Sequence, residues 1–315
     1  MISLFRYVAK AVRNLSMIYT ITFNPSIDCY MSLPQGKENL VGTNYAKKQS
    51  FVAGGKGINV TRILNMLGQD STALGFISGF TGNTLANLLA EEGIKTSFIS
   101  LDDQSVSTRI NMKLSFMDNE EMEINATGPI ISDKDIDKLF ASLSLLNDGD
   151  IVVLSGSVPN SVNRDIYAQI MKHTREVLHK DVRFVVDASG ELLTRAIDEK
   201  PWLIKPNLDE LRMLFGGEAI AAEDLDAIYE KATILKKGGA ANVIVSLGVT
   251  GALMIDELNE VYFVTSPKQE TFVSSVGCGD CLVASFIDAK QRGLSSKDSL
   301  EFAVKSASKH SAAKR

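Results

Sequence analysis

From Ile18 onward, short runs of β-branched and other apolar residues alternate with segments of helical periodicity. Continuous apolar runs of this length are typical of strands that are buried on both faces of a sheet. Because helical patterns fall between the runs, the order predicts an α/β fold with a mostly parallel sheet covered by helices on both faces. The predicted strands are residues 18–23, 71–77, 151–156, 184–189, 203–207 and 243–248, and the predicted helices are 57–67, 132–146, 164–178 and 222–237.

One part of the chain follows a period of two instead. In RINMKLSF, residues 109–116, every second residue is apolar, and the segment is followed by the turn DNEE and by MEIN. This pattern is typical of an antiparallel hairpin with one buried face. The polar, glycine-punctuated stretch 28–51 is a candidate for its partner strands. We therefore expect a small β-sheet lid, formed from about residues 28–51 and 106–126, with a cleft between lid and body.

Composition limits the classes of function. The chain has 315 residues, of which 45% are hydrophobic and 23% charged, so residues 17–315 can form one large domain. The net charge of −5 is spread along the chain, which argues against a nucleic-acid partner. No apolar run approaches the roughly 20 residues that span a bilayer, so no membrane partner is expected. The three cysteines fit a reducing compartment.

Residues 1–16 differ from the rest. They contain Arg6, Lys10 and Arg13 but no acid, a pattern that is compatible with a basic amphipathic helix. Such a helix would be a membrane-surface or transit segment. We favour the simpler interpretation of an N-terminal extension before Met17, disordered or helical.

Two glycine-rich turns each lead into a helical pattern: VAGGKGINVTRIL at 52–64 and VGCGDCLVASFI at 276–287. Backbone N–H groups at such helix starts, together with the helix dipole, favour anion binding. Neither turn is a familiar nucleotide fingerprint. A Walker loop requires Ser or Thr after its lysine, whereas Gly57 follows Lys56, and the second turn lacks the third glycine of a dinucleotide motif.

The second turn contains Cys278 and Cys281 in C-x-x-C spacing around Gly279 and Asp280. A metal clip lacks further ligands, while a thiol pair and a glycine-rich turn remain as interpretations. Asp280 stands where the turn becomes helix, so it either complements the helix dipole or acts as a base beside an anion site. A helix start also favours a thiolate, so we expect Cys281 to be reactive.

Other side chains permit two interpretations each. Asn207 and Glu210 in KPNLDE follow a predicted strand and either cap a helix or hold the waters of a Mg²⁺ ion. Asp28 either forms an Asx turn or faces the cleft. Arg109 is either a solvated arginine or a phosphate contact. No zinc pattern or G-x-S-x-G motif is present, so zinc hydrolysis and serine-nucleophile catalysis have no support.

Taken in order, these segments resemble the PfkB group of ribokinase-like carbohydrate kinases. Within that group the sequence is most similar to the bacterial 1-phosphofructokinases, with the tagatose-6-phosphate kinases next. The resemblance covers almost the whole chain from Met17. It is carried by TITFNPSID, GGKGINVTRIL, TRINMKL, IVVLSGSVP, VVDASGE, LIKPNLDEL, VIVSLGVTGAL and SVGCGDCLVASF.

The resemblance implies a ribokinase-like three-layer α/β/α sandwich with a β-sheet lid, and Mg²⁺-dependent transfer of the ATP γ-phosphoryl group to a sugar-phosphate hydroxyl. It implies that Asp280 is the base and that the amides of Gly277, Cys278, Gly279 and Asp280 bind the anion. The implied sugar site comprises Asp28, Gly54, Gly55, Lys56, Asn59, Arg109, Ser155 and Gly156. The implied ATP site comprises Lys205, Asn207, Ser246, Gly248 and Gly251, with Asn207 and Glu210 near the metal. Lid strands in this family can pair between subunits, so the resemblance also allows a homodimer through the lid.

Two departures from the family pattern stand out. Alanine or serine is usual at position 278 and serine or threonine at 281, and family members generally continue beyond the last helical region to cover the adenine. We expect D-fructose 1-phosphate as the acceptor, giving fructose 1,6-bisphosphate. The alternatives are a tagatose-6-phosphate kinase and a weakly active or non-catalytic sugar-phosphate-binding relative.

Overall fold

The computed structural model describes residues 16–117, 120–268 and 276–312. Its strands are β1 (Ile18–Thr22), β2 (Ser26–Ser32), β3 (Lys48–Gly54), β4 (Ser71–Ile77), β5 (Lys95–Ser100), β6 (Arg109–Ser115), β7 (Glu121–Ile124), β8 (Ile151–Ser155), β9 (Arg183–Asp187), β10 (Leu203–Ile204), β11 (Asn242–Ser246), β12 (Gly251–Ile255) and β13 (Val261–Thr265). Its α-helices are α1 (Lys56–Met66), α2 (Gly79–Glu91), α3 (Asp133–Ser142), α4 (Ile166–Glu176), α5 (Glu191–Ile197), α6 (Leu208–Leu214), α7 (Leu225–Gly238), α8 (Cys278–Gln291) and α9 (Ser296–Ala312). Short 3₁₀ helices span Lys37–Asn39, Leu143–Leu145 and Gly248–Thr250. The expected extension at 1–16 lies outside the described residues apart from Ser16.

The larger sheet has nine strands in the order β13-β12-β11-β10-β9-β8-β1-β4-β5. The strands from β11 to β5 pair in parallel, whereas β12 and β13 form an antiparallel edge next to β11. The predicted mostly parallel α/β fold is therefore confirmed. The antiparallel edge was not anticipated by the strand pattern.

Strand β8 illustrates why its sequence is apolar throughout. Ile151 and Val153 face a core formed with α1, α8 and α9, whereas Val152 and Leu154 face a core formed with α3 to α7. All four side chains are at most 1% exposed. A strand covered on both faces needs apolar residues at every position, so no alternation is visible in the sequence.

Some boundaries differ from the predicted ones for local reasons. The predicted helix 132–146 ends as α-helix at Ser142 and continues only as a 3₁₀ turn. The predicted strand 203–207 forms a continuous strand only at Leu203 and Ile204, because Pro206 has no N–H to continue the ladder, and Asn207 adds an isolated bridge to Ser246. Helices α2, α5 and α9 were not among the predicted helices.

A separate sheet has the order β3-β2-β6-β7, with β2 and β6 parallel and the outer pairs antiparallel. Its strands come from residues 26–54 and 109–124 and include the expected hairpin between β6 and β7. Ile27 and Ala53, at its base, pack with Leu85 and Leu89 of α2, which joins the small sheet to the body. We call this sheet the lid.

Within the described ranges, no helix combines the length and the apolar composition needed to cross a membrane.

Candidate active site

The parallel strands direct polar residues to one edge of the large sheet. Ser155, Asp187 and Ser246 are the last residues of β8, β9 and β11, and Lys205 directly follows β10. Parallel strands end at the same edge, which is where α/β proteins bind ligands. This edge faces the lid.

A cavity of about 590 Å³ lies at this edge, between the sheet, the lid and helices α8 and α9. It brings together predicted residues that are far apart in the sequence. They are Asp28, Lys56, Asn59, Lys205, Asn207, Ser246, Gly248, Gly251, Gly277, Cys278, Gly279 and Asp280.

Asp280 is a buried carboxylate in the first turn of α8 and is only 5% exposed. Its Oδ2 accepts a hydrogen bond of 2.8 Å from Nδ2 of Asn59. Burial and the nearby Asp187 carboxylate raise the pKa of Asp280 to about 6, against the opposing effect of Asn59, Lys56 and Lys205. A carboxylate with such a pKa is ionised at neutral pH yet accepts a proton readily, as a general base requires.

Two lysines and Asp187 form a cluster beside Asp280. Nζ of Lys205 lies 3.1 Å from Oδ1 of Asp187, and Nζ of Lys56 lies 3.5 Å from the same oxygen. Attraction to Asp187 raises the pKa of Lys56. Burial would raise the pKa of Asp187, but the two ammonium groups outweigh it and lower that pKa. Lys56 is therefore positively charged at the cavity, and Lys205 lies beside it in an ion pair with Asp187, so both side chains are placed to bind phosphate.

Asp187 was not among the predicted site residues. It is fully buried, and its Oδ2 has no hydrogen-bond partner within the described residues. The sequence did contain a signal, because an acid ends the apolar run RFVVD. Only the convergence of strand ends brings this acid next to the lysines.

The first glycine-rich turn lets α1 start close to the lid. Gly55 is the N-cap of α1 with φ of +130°, a conformation that side chains rarely adopt. A Cβ on Gly54 would lie 2.6 Å from the Asp28 carboxyl group. Both glycines thus lie in the wall behind Asp28 and Lys56 instead of lining the cavity.

Asp28 lies on the lid face that borders the cavity. Its Oδ1 accepts hydrogen bonds from Oγ of Ser26 at 2.8 Å and from Nδ2 of Asn111 at 3.1 Å. The second bond joins β2 to β6 across the lid. These two donors hold the carboxylate towards the cavity, where it can accept a hydrogen bond from a hydroxyl group.

The second glycine-rich turn forms the N-terminus of α8. Gly277 is its N-cap and has φ of +80°, in the left-handed region. A Cβ on Gly279 would lie 3.3 Å from Nζ of Lys205. The absent side chain keeps space between the lysine and the first helical turn, whose N–H groups are the natural ligands of an anion. The arrangement fits a phosphoryl group between Lys205 and α8.

The capping interpretation of Asn207 and Glu210 is confirmed, and their contact with Mg²⁺ stays a prediction. They form a capping box on α6, in which Oδ1 of Asn207 accepts from the Glu210 N–H at 2.7 Å and Oε2 of Glu210 accepts from the Asn207 N–H at 2.9 Å. The other oxygen of Glu210, Oε1, lies 3.8 Å from Nζ of Lys56. Because the box uses only one carboxylate oxygen, Glu210 can still face a hydrated cation.

The loop after β11 forms the far wall of the cavity. Ser246, Gly248, Gly251 and Ser266 line this wall. A Cβ on Gly251 would lie 1.9 Å from the Val264 carbonyl oxygen, so glycine is needed there to let β12 and β13 approach.

Four further predicted residues lie outside the cavity lining, one of them Glu210. The guanidinium of Arg109 donates to the carbonyl oxygens of Asn24 at 2.9 Å and Ala126 at 3.2 Å. Ser155 is fully buried at the end of β8, and Gly156 has φ of +86° and is placed so that a Cβ there would lie 3.7 Å from Cβ of Lys56.

The expectation of a reactive Cys281 is wrong. Its side chain is buried in the core between the sheet and α8, with Sγ 3.9 Å from Oγ of Ser285. Burial raises the pKa of its thiol to about 11, because loss of solvation outweighs the helix start. Among the described residues, no group of three or more metal-ligating side chains is present that would make CGDC a metal clip.

Three more charged residues were missed by sequence reasoning. Lys113 of β6 and Glu123 of β7 are paired across the lid with a 2.5 Å contact, and both line the cavity. Arg62 of α1 donates to Oδ1 of Asn59 at 2.9 Å. Its position three residues after Asn59, on the same helix face, was the available signal.

Comparison with known proteins places the chain in a family. Residues 22–310 match the model of the pfkB family carbohydrate kinases. The chain belongs to this family. Its motifs at the two glycine-rich turns, the lid and the strand ends are therefore those of a carbohydrate kinase, as their resemblance to the PfkB group predicted.

Individual relatives agree with this assignment. The chain is 39% identical to 1-phosphofructokinase from Bacillus subtilis, over 93% of this chain and 91% of that protein. It is 31% identical to D-tagatose-1-phosphate kinase from Bacillus licheniformis, over 91% of this chain and 90% of that protein. Two structures of phosphofructokinase-2 from Escherichia coli, one with fructose-6-phosphate and one of the tetrameric inhibited form, match with TM-scores of 0.84, 28% and 29% identity, and 94% coverage of both chains.

Proposed function

We propose that this pfkB family kinase transfers the γ-phosphoryl group of ATP to D-fructose 1-phosphate and so makes fructose 1,6-bisphosphate. The observation that carries the proposal is the buried Asp280 carboxylate, with its pKa raised to about 6, at the anion-binding start of α8. The same cavity contains polar lid residues on one side and Lys205 and Asn207 on the other. The identity of 39% with a 1-phosphofructokinase supports fructose 1-phosphate as the acceptor.

In the proposed reaction, Asp280 accepts the proton of the acceptor hydroxyl as its oxygen attacks the γ-phosphorus. The new O–P bond forms as the bond between the γ-phosphorus and the leaving oxygen of ADP breaks. The N–H groups of Gly277 to Asp280, together with Lys205 and Lys56, stabilise the negative charge of the transferring group. The proton remains on Asp280 until it is lost to solvent.

We assign ATP to the wall formed by Ser246, Gly248 and Gly251, with its phosphates towards Lys205 and Asn207. The oxygen ligands of Asn207 and Glu210 fit Mg²⁺, which prefers oxygen and retains part of its water shell. Oε1 of Glu210, which the capping box does not use and which lies 3.8 Å from Nζ of Lys56, supports a contact through water. The ion would neutralise phosphate charge and align the phosphoryl groups.

The sugar phosphate is assigned to the lid side of the cavity, near Asp28, Lys56 and Asn59, with Gly54, Gly55, Ser155 and Gly156 shaping the wall behind them. Lys113, which lines this side, is the proposed contact for the phosphate of the acceptor. The contact of Arg109 with the phosphate of the acceptor stays a prediction. Its guanidinium already donates to two carbonyl groups, so a phosphate contact requires that side chain to rearrange.

A second acceptor is favoured by one observation. The chain is 31% identical to a D-tagatose-1-phosphate kinase. Fructose and tagatose differ in configuration at one carbon, so the same site can accept both with a different order of kcat/KM. Tagatose 6-phosphate, the acceptor of the alternative stated above, has its phosphate at the other end of the sugar.

The deciding experiment is a coupled assay of ADP release with ATP and Mg²⁺. The panel contains fructose 1-phosphate, tagatose 1-phosphate, tagatose 6-phosphate and fructose 6-phosphate, with unphosphorylated fructose as the control for the phosphate. We expect the highest kcat/KM with fructose 1-phosphate. Absence of turnover with every sugar phosphate would overturn the proposed function, and sugar-phosphate binding without turnover would indicate the non-catalytic alternative.

We also propose a homodimer through the lid. The lid face opposite the cavity is apolar, with Phe51, Ile110 and Ile124 exposed by 50%, 38% and 56%. A second copy of the same face is the proposed cover, supported by the tetrameric form of the Escherichia coli relative. Light scattering of the purified chain should give twice the monomer mass, and Ile124→Glu should give the monomer. A wild-type monomer at micromolar concentration would contradict this proposal.

We propose a cytoplasmic location, where ATP is available. The free thiols of Cys29 and Cys281 support a reducing compartment. Fractionation of cells that express the tagged chain would test this.

A further inference from the structure

The amide of Asn59 is hydrogen-bonded on both sides. Its Nδ2 donates to Oδ2 of Asp280 at 2.8 Å, and its Oδ1 accepts from Nη1 of Arg62 at 2.9 Å. A guanidinium has donors only, so Arg62 keeps the amide oxygen on its own side. The amide N–H₂ group is then left facing the carboxylate.

Arg62 is itself fixed by two other groups. Its Nε and Nη2 bind the two carboxylate oxygens of Glu92 at 2.5 and 3.0 Å, a bidentate arrangement that sets the plane of the guanidinium. Its Nη2 also donates to the carbonyl oxygen of Ala53 at 2.9 Å. Ala53 lies at the end of β3, directly before the turn that starts α1. The Arg62 and Glu92 side chains are only 23% and 33% exposed, so solvent competes weakly.

We propose that Arg62, anchored by Glu92, is a positioning residue that acts on the base Asp280 through Asn59. The proposal rests on the role of Asp280 in the proposed function and names the part of the chain that orients it. Arg62 is not a catalytic residue, because it contacts Asn59, Glu92 and Ala53 and does not line the cavity that contains Asp280.

The electrostatics of Asp280 give this contact a measurable consequence. The groups that face Asp280 are Asn59 and Lys56 of α1, Asp187 of β9, Lys205 after β10, and Cys281 of α8. Asn59 lowers the pKa of Asp280 through its hydrogen bond, against the effect of burial. If the amide turns away, we expect that pKa to rise and a larger fraction of Asp280 to be protonated at neutral pH.

The test is Arg62→Gln in the wild-type chain and in an Asn59→Ala background. In the wild-type chain we expect kcat to fall about 10- to 100-fold, as for a misplaced catalytic group, with KM for ATP changed less than about twofold. The acid limb of the pH profile should move to higher pH. Arg62→Lys should restore part of kcat, since it keeps the charge but not the bidentate contact. With Asn59→Ala, Arg62→Gln should add less than about a twofold loss.

A second readout does not require turnover. A ¹³C NMR titration of the Asp280 carboxyl group, identified by its absence in Asp280→Asn, should give a higher midpoint in Arg62→Gln. If no sugar phosphate is turned over, the proposed function fails, but this titration still decides the positioning role. If Arg62→Gln does not fold, Glu92→Gln provides the same test with the guanidinium retained.

Lys95→Gln is the matched control. It removes the exposed ion pair of Lys95 with Asp70, 2.8 Å long, and should leave kcat and the titration midpoint unchanged. The positioning role is overturned by an unchanged midpoint and pH profile in Arg62→Gln. The role would also be overturned if Arg62→Gln lowered kcat by the same factor in the wild-type chain and in the Asn59→Ala background.

Discussion

Nζ of Lys205 lies 3.1 Å from Oδ1 of Asp187, and the two side chains are only 3% and 0% exposed. Each charge compensates the other at a position where both side chains are nearly fully buried. The second oxygen of Asp187 has no hydrogen-bond partner among the described residues. The pair therefore keeps a cation at the phosphate site but makes the fold depend on both partners.

The first prediction concerns this pair. Asp187→Asn should lower the free energy of unfolding by about 3 to 5 kcal/mol, because it leaves Lys205 buried without its counter-charge. Urea unfolding at pH 7 measures the change. The double variant Asp187→Asn with Lys205→Met should recover part of the loss, since no unpaired charge remains. A single variant as stable as the wild type would show that the pair is better hydrated than its burial indicates.

Removal of the base should affect turnover more than binding. For Asp280→Asn we expect kcat with the best sugar phosphate to fall about 10²- to 10⁴-fold, the usual contribution of a general base, with KM for both substrates changed much less. Asp288→Asn is the control, because Asp288 is also a buried acid of α8 but bonds to Gln69 and Arg292. Equal losses in the two variants would indicate damage to the helix instead.

The pH dependence of kcat/KM should report the same group. Since burial and Asp187 raise the pKa of Asp280 to about 6, protonation removes the base below that pH. We expect kcat/KM to be constant near pH 7 to 8 and to fall about tenfold for each pH unit well below pH 6. Initial rates between pH 4.5 and 8, with stability checked at each value, measure this. A level profile down to pH 4.5 would argue against Asp280 as the base.

The raised pKa of Asp280 also predicts how folding stability depends on pH: stability falls over the pH range in which activity rises. The folded state binds the Asp280 proton more tightly than the unfolded state, so the wild type loses stability as pH rises from about 4 to 6. The rise from 3.8 to about 6 corresponds to at most about 3 kcal/mol. Asp280→Asn should therefore be more stable than the wild type above pH 6 and similar near pH 4. Tm of both proteins across this range is the measurement, and a variant less stable at pH 7 would contradict it.

The proposed phosphate contact of the acceptor can be tested on the lid. Lys113→Met should raise KM for the sugar phosphate about 10- to 100-fold, since a hydrogen bond to a charged group contributes about 1.5 to 3 kcal/mol. KM for ATP should change less than about twofold. Lys47→Met, at an exposed position next to β3, is the matched control. If Arg109→Met raises this KM and Lys113→Met does not, Arg109 is the phosphate contact.

Much of the fold was readable from the sequence because local patterns specify it. The continuous apolar runs around Ile151 and Val243 predicted parallel strands buried on both faces, and the alternation from 109 to 116 predicted a strand of the lid. The edge strands β12 and β13 were missed because pairing direction depends on long-range contacts, which periodicity does not encode.

The sequence by itself determined the family and the two glycine-rich turns. It also pointed to Asp280 and Asn207, since spacing along the chain fixes which residues start a helix or end a strand, and the resemblance to the family added Lys205. Only the tertiary structure decided what surrounds them. It placed Asp187 between two lysines, put Arg62 behind Asn59, turned Arg109 towards backbone carbonyls and buried Cys281. Solvation and charge depend on neighbours distant in sequence, and these neighbours set the pKa values on which the chemistry depends.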